Sequence, residues 1–187
     1  IIGRLVGSEM CIRDSYTGVQ WACENGANVV SMSYGSENSS NAMQDLIYAY
    51  PEVVFIAAAG NDSSSTQNYP AAYQNVIGVG SVDSNDLRSS FSNYNVGFPW
   101  VDIAAPGGYS YGGLLSTVYT ESLNGYARFG GTSMATPFAA GLVGLMLSVN
   151  PSLTPIQIQN CLVNSGVDIN QNIGPRIDAY QASLCVQ

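Results

Sequence analysis

Short and nearly continuous apolar runs alternate along this chain with segments that have the spacing of helices. Apolar runs of this kind are typical of strands that are covered on both faces in a parallel sheet. Their alternation with helices predicts an α/β fold with a mainly parallel sheet. The predicted strands are residues 29–33, 53–59, 76–82 and 101–105, and the predicted helices are residues 16–25, 41–50, 136–149 and a segment opened by Thr154 and Pro155.

The segment 136–149 is apolar on nearly all sides. At about 14 residues it is too short to cross a bilayer, so it predicts a buried central helix. Just before it, the apolar segments 114–118 and 126–129 flank Asn124-Gly125, which is a strong hairpin-turn dipeptide. The second half of the chain therefore predicts a hairpin followed by a buried helix.

The amino-acid composition narrows the classes of function that the chain could have. Hydrophobic residues make up 46% of the 187 residues, which excludes a disordered chain. Five basic residues stand against 13 acidic ones, a net charge of -8, which disfavours binding to nucleic acid and to anionic membranes. The acidic balance and scarcity of lysine suit a secreted protein.

The chain contains no histidine, so no histidine general base or histidine zinc ligand comes from it. Its four cysteines form no CxxC pair. Cys161 and Cys185 could bridge in an oxidising compartment, or all four could be buried thiols. If all four were paired, three connectivities would be open.

Gly130-Gly131-Thr132-Ser133-Met134-Ala135-Thr136-Pro137 is the segment most suggestive of chemistry. Two glycines allow close approach of a substrate, and Ser133 stands where a helix begins. A serine there can attack a carbonyl while its own N–H stabilises the resulting oxyanion. An ordinary turn with a Ser or Thr helix cap is the alternative that this string alone leaves open.

This string resembles the serine motif of the subtilisin-like proteases. Further stretches resemble the same family in the same order: residues 31–35, 57–61, 69–73 followed by 76–80, 90–93 and 102–107. The resemblance covers about residues 16–180. It implies a three-layer α/β/α fold with the N-terminal portion missing.

The resemblance implies a role for each matching residue. Ser133 would be the nucleophile, and the Asn61 side chain would form the oxyanion hole with the Ser133 N–H; without the other motifs Asn61 would be a turn residue. Extended substrate would pair with Ser33, Tyr34 and Gly35 as an added strand. One wall of the primary specificity pocket would consist of Ala58, Ala59 and Gly60.

Two further residues bear on specificity and packing. Asp62 is expected at the pocket rim, where it would favour basic or polar residues before the scissile bond. Phe138 stands where many relatives have a packed histidine, and we expect it in the core.

The family needs no cofactor for its chemistry, but some members hold a structural calcium or monovalent cation. The matching ligands here would be the backbone carbonyls of Ala71, Tyr73 and Val76, since such oxygens suit a hard cation.

The family's catalytic Asp and His precede Ser in the chain, and neither segment is present. Residues 1–15 fit none of the family's segments and resemble translated adapter sequence. We hypothesise that they are not natural and that residues 16–187 form the C-terminal part of the peptidase domain. Upstream sequence running unbroken into Tyr16 through this head would contradict that.

These features predict a secreted serine endopeptidase that cleaves polypeptides through an acyl-enzyme on Ser133 and is a monomer when intact. The fragment itself should be nearly inactive. The alternatives are a pseudoprotease that binds peptides without cleaving them and a different serine hydrolase such as an esterase. The absence of a GxSxG elbow around Ser133 argues against the esterase.

Overall fold

A computed structural model of the chain describes residues 8–108, 113–118 and 125–187. Four parallel strands form its central sheet in the order β1-β2-β3-β4. This confirms the predicted α/β fold with a parallel sheet. The strands are β1 (Val29–Met32), β2 (Val54–Ala58), β3 (Val76–Val82) and β4 (Ile103–Pro106).

Helices cover both faces of this sheet. One face packs against α1 (Ser8–Glu24) and α2 (Asn41–Ala49), and the other packs against α3 (Thr132–Val149), α4 (Pro155–Ser165) and α5 (Ala179–Cys185). The pleat of β2 explains the continuous apolar run, since Phe55 and Ala57 belong to the first core and Val54 and Ile56 to the second. The layers are therefore α/β/α, as predicted.

A separate antiparallel hairpin leads into α3. Its strands are β5 (Leu114–Thr117) and β6 (Tyr126–Phe129), with Leu114 opposite Phe129. The hairpin prediction is confirmed for these strands, while Asn124 lies outside the described residues.

The central helix α3 differs from its prediction in two ways. It begins at Thr132 rather than at 136 and has 18 residues, so the argument that it is too short for a bilayer was wrong. It packs against all four strands of the sheet, but its outer side is open. Phe138 and Leu145 are each 50% exposed, so the expected burial of Phe138 was also wrong. No described element covers that side.

Two other helices also differ. The first helix begins at Ser8, within the 15-residue head, rather than at Tyr16. The last helix, α5, was not predicted, because seven residues are too few to show a period. Asp178 caps its N-terminus by accepting the N–H of Gln181. A disulfide between Cys161 and Cys185 joins α5 to α4, which settles one of the open cysteine assignments.

Candidate active site

The predicted site residues meet at the carboxyl edge of the parallel sheet, which is the usual place for a site in an open α/β sheet. The ends of β1 and β2 and the start of α3 enclose a cleft of about 490 Å³ there. It is lined by Ser33, Tyr34, Gly35, Ser36, Glu37, Ala58, Gly60, Asn61, Asp62, Asn68, Thr132 and Ser133.

Ser133 lies in the first turn of α3 and is partly exposed. Its hydroxyl donates to the carbonyl oxygen of Ser33 at 3.2 Å, and the Ser33 hydroxyl donates to the Ser133 carbonyl at 2.9 Å. The second bond has a local cause. Pro137 has no N–H to give the carbonyl four residues earlier, so that oxygen is free to accept from β1. The end of β1 and the start of α3 are thereby held together.

The Asn61 side chain is held in one orientation by Thr132. Its Oδ1 accepts the backbone N–H of Thr132 at 2.9 Å and the Thr132 hydroxyl at 3.0 Å. The Thr132 hydroxyl oxygen in turn accepts the N–H of Gly60 at 3.2 Å. Because both of these donors require an oxygen, the Nδ2 of Asn61 is directed elsewhere and keeps its two protons for another acceptor.

That Nδ2 and the backbone N–H of Ser133 border one volume. A Cβ built on Gly131 would lie 3.5 Å from Asn61 Nδ2 and 3.7 Å from Ser133 N. Neither donor has a hydrogen-bond partner among the described residues. Two free donors that meet beside a helix N-terminus are suited to hold an oxyanion.

The cleft wall that follows β1 has backbone groups without a hydrogen-bond partner among the described residues. Among residues 8–108, 113–118 and 125–187, nothing hydrogen-bonds to the N–H or carbonyl groups of Tyr34 and Gly35. The next residue, Ser36, pairs with Tyr69 in an antiparallel bridge that closes the floor. An extended peptide could therefore add to residues 33–35 as a further strand.

The opposite wall is formed by Ala58 and Gly60. Ala59 does not line the cleft. Its side chain is fully buried in the core beneath α1 and α2, and its N–H donates to the carbonyl of Val79 at 3.0 Å. The structure thus brings together every predicted cleft residue except Ala59.

Asn93 supports this wall and was not singled out from the sequence. Its Oδ1 accepts the N–H groups of Asp62 at 2.9 Å and Ser64 at 3.1 Å, and its Nδ2 donates to the Ala59 carbonyl at 3.0 Å. It thus fixes the turn that carries Asn61. The stretch 90–93 belonged to the family resemblance, but nothing local in it indicated this long-range contact.

Of the three residues predicted to hold a cation through their carbonyls, Ala71 and Tyr73 lie in the turn that follows Pro70, and Val76 is the first residue of β3. The Tyr73 carbonyl accepts the N–H of Val76 at 3.3 Å, which leaves it one lone pair, and the Ala71 carbonyl has no backbone donor among the described residues. These oxygens fit a weakly held hard cation. The cation itself stays a prediction. Within the described part of the chain, no group of three or more His, Cys, Asp or Glu side chains could hold a metal ion.

Asp102 carries a mostly buried carboxyl group whose pKa is clearly shifted. Burial raises its pKa to about 6, although hydrogen bonds from the Gly78 N–H at 2.7 Å and the Gln159 side chain at 3.2 Å oppose the rise. It lies at the start of β4, away from the cleft, so this shift concerns stability rather than the site.

The family model described as the subtilase family matches residues 5–179. The chain therefore belongs to the subtilase family of serine proteases. It is 42% identical over 170 residues to Thermitase of Thermoactinomyces vulgaris, covering 88% of this chain and 57% of that protein. It is 40% identical over 154 residues to Alkaline elastase YaB of Bacillus sp. (strain YaB), covering 81% of this chain and 38% of that protein.

Solved structures of proteases have the same fold as this chain. A protease from Pseudoalteromonas arctica PAMC 21717 superposes with a TM-score of 0.85 at 29% identity, covering 94% of this chain and 59% of that one. The Prenylagaramide maturation protease PagA gives a TM-score of 0.81 at 26% identity, covering 94% and 68%. The chain spans only about half the length of the curated relatives described above.

Proposed function

We propose that this chain supplies the nucleophile and the oxyanion-binding half of a serine endopeptidase. Ser133 attacks the peptide carbonyl, and the developing oxyanion is held by Asn61 Nδ2 and the Ser133 N–H. An acyl-enzyme forms and water then hydrolyses it. The observation that carries this proposal is the convergence of those two free donors beside Gly131.

A general base is the missing part. The Ser133 hydroxyl donates to a backbone carbonyl, which is far too weak a base to remove its proton. No histidine exists in the chain. We propose that a polypeptide segment outside this sequence supplies the histidine and the aspartate, and that the chain alone is nearly inactive.

The open surfaces beside Ser133 support this proposal. Among the described residues, β1 pairs only with β2, so its other edge is unpaired. The outer side of α3 exposes Phe138, Leu145 and Val149, with Phe138 five residues from the serine. A strand and a helix added here would complete the sheet and cover the apolar side next to Ser133.

The substrates proposed are polypeptides, bound as an added strand along residues 33–35. The chemistry needs no cofactor, and a calcium or monovalent cation at residues 71–76 would only stabilise the fold. We also propose an extracellular location, which a disulfide such as Cys161–Cys185 favours. No nucleic-acid or membrane partner is proposed, and the intact protein is proposed to be a monomer.

A chimera tests the catalytic proposal. The part of Thermitase that precedes its matched region is joined to this chain at Tyr16, and hydrolysis of a chromogenic peptide is measured. We expect cleavage by the chimera and about background rates for the chain alone. Asn61→Ala in the chimera should lower kcat about 10²–10³-fold, as measured for the corresponding donor of subtilisin.

Ser133→Ala is the matched control and should abolish cleavage in the chimera. A folded chimera that binds the peptide but does not cleave it would refute the endopeptidase and support the pseudoprotease. Cleavage of esters but not of peptides would support the esterase. Peptide cleavage that survives Ser133→Ala would show that this serine is not the nucleophile.

A further inference from the structure

A second pocket lies at the amino ends of β2 and β3, at the edge of the sheet opposite the cleft. Its volume is about 150 Å³. The strands line it through Val54 and Ile77, the end of α2 through Ile47 and Tyr50, and the start of α4 closes the remaining side. The cleft of Ser133 lies at the carboxyl ends of the same parallel strands, so the length of the sheet separates the two.

Buried apolar side chains supply most of the inner lining of this pocket. Ile47, Val53, Val54, Phe55 and Ile77 are each at most 4% exposed. In another protein, an engineered apolar cavity of about 150 Å³ binds benzene. A ligand with one six-membered ring therefore fits the volume, whereas a larger ligand does not.

Amide groups in the same lining keep hydrogen-bonding groups free. Gln159 donates one Nε2 proton to Asp102 Oδ1 at 3.2 Å, and its second proton and its Oε1 have no partner among the described residues. The N–H of Ile156, in the first turn of α4, and the side chain of Asn75 are likewise unpaired in the described part of the chain. The pocket thus offers both donors and an acceptor beside its apolar lining.

The charges around the pocket favour a neutral ligand. None of the described residues that line it carries a charged side chain, so a cation would lose its hydration without gaining a counter-ion. An anion would be repelled by the carboxyl of Asp102, which lies behind Gln159. The end of α2 and the start of α4 are opposite ends of helix dipoles, and their effects offset one another across the pocket.

We propose that this pocket binds small neutral phenols, with the ring against the buried apolar side chains and the hydroxyl paired with Gln159 and the Ile156 N–H. A phenolic hydroxyl both donates and accepts a hydrogen bond, so it can give its proton to Gln159 Oε1 and accept that of Ile156. The inference is independent of the proposed peptidase function, because no residue of the cleft lines this pocket.

Titration of ¹⁵N-labelled chain with three one-ring compounds tests the inference. Phenol is the probe, toluene has a similar size without the hydroxyl, and benzoate carries a charge. The N–H signals of Val54, Ile77 and Ile156 report occupancy of the pocket, and the Gln159 side-chain NH₂ signal reports the contact with the hydroxyl. We expect phenol to bind with a Kd on the order of 1 mM and toluene about tenfold more weakly. Benzoate should not bind.

The variant Gln159→Met removes the amide and keeps a side chain of similar length. It should weaken phenol binding about tenfold and leave toluene binding within about twofold. Gln181→Met, on an exposed residue of α5 that does not line the pocket, is the matched control and should leave both unchanged. Thermal unfolding checks that both variants fold, and the comparison of the three compounds on the unaltered chain needs no variant.

Signals of Val54, Ile77 and Ile156 that phenol leaves unshifted would refute the site. Equal affinities for phenol and toluene on the unaltered chain, or saturable binding of benzoate, would overturn the assigned class of ligand. A folded Gln159→Met variant that binds phenol as tightly as the unaltered chain would overturn the role of Gln159. Each of these outcomes leaves the peptidase proposal standing, because the chimera tests that proposal separately.

Discussion

At the residue scale, the cleft combines an oriented Asn61 amide with a Ser133 hydroxyl that has no base beside it among the described residues. Thr132 orients Asn61 by donating two hydrogen bonds to its Oδ1, so the free Nδ2 costs no reorganisation when an oxyanion forms. The Ser133 hydroxyl has only a carbonyl acceptor and keeps its proton. Under the proposed function, this chain would supply the electrostatic part of catalysis, and the added segment would supply the proton transfer.

Asp102 provides a residue-scale prediction about pH. Its folded pKa of about 6 lies above the ordinary value of 3.8, so the folded state binds the proton more tightly than the unfolded state. Its contribution to stability is therefore present below about pH 4 and is lost as pH rises through about 6. We expect Asp102→Asn to remove that loss, on the order of 2–3 kcal/mol at pH 7, because an amide keeps the hydrogen bond from Gly78 without a charge.

Urea unfolding of both proteins from pH 4 to pH 8, in chelator-treated buffer, measures this difference. The free energies of unfolding should be similar near pH 4 and diverge as pH rises, with the variant more stable. Asp178→Asn, which alters a partly exposed helix cap, serves as a carboxylate control. Parallel pH profiles for the unaltered chain and Asp102→Asn would contradict the prediction.

The residues of the site differ in how far the sequence could identify them. Ser133 and Asn61 lie in short sequence motifs whose residue types indicate their chemistry, so the amino-acid sequence is enough to propose their positions. Asn93 acts across a distance of about 30 residues, on the 60–64 turn. An asparagine in a polar loop has no local signal for such contacts, since most are turn residues.

At the element scale, the start of α3 shows why a prediction from the local sequence can misplace the boundary of a helix. The apolar pattern predicted that this helix begins at residue 136, a start that would place Pro137 in the first turn, where proline is tolerated. The helix instead begins at Thr132 and tolerates the proline, since the Ser33 hydroxyl replaces the hydrogen bond that proline cannot make. The hydroxyl that replaces it belongs to the residue that follows β1, 100 residues earlier in the chain than Ser133, so the sequence around Pro137 does not indicate it. The capping box of Thr154 and Gln157 is entirely local, and α4 was predicted from its start.

The disulfide provides the element-scale prediction. Cys161 and Cys185 are 24 residues apart and join α4 to α5, a helix of seven residues that is too short to be stable alone. In the chain-entropy description, closing a loop of this length stabilises the folded state by about 3 kcal/mol. We therefore expect Cys161→Ala with Cys185→Ala to lower the free energy of unfolding by about that amount.

Hydrogen exchange locates the effect, because the N–H groups of α5 should lose protection first and the β2 and β3 amides last. The buried free thiol of Cys23 offers a control, and Cys23→Ala should leave exchange in α5 unchanged. If the double variant unfolds at the same urea concentration as the unaltered chain, the disulfide does not stabilise the fold.

At the scale of the whole molecule, two surfaces of the described layers are uncovered. Among the described residues, β1 has one strand neighbour and α3 exposes an apolar side. Both surfaces lie beside Ser133. Under the proposal that a segment outside this sequence supplies the histidine and the aspartate, one added segment would cover both surfaces and complete the catalytic site.

The same geometry predicts that the chain alone self-associates. An unpaired strand edge and an apolar helix side favour contact with a second copy. We expect sedimentation velocity to show concentration-dependent association, and Phe138→Gln or Leu145→Gln to weaken it about tenfold each, because each removes apolar area from the contact. Leu87→Gln, at a residue that is 51% exposed and lies in a loop outside α3, should leave association unchanged.

The chimera provides a second test. If the added segment covers Phe138 and Leu145 as proposed, association should vanish in the chimera. A chain that stays monomeric at all concentrations would refute the exposed α3 side as an interface, and a chimera that associates as strongly as the chain alone would refute its burial by the added segment.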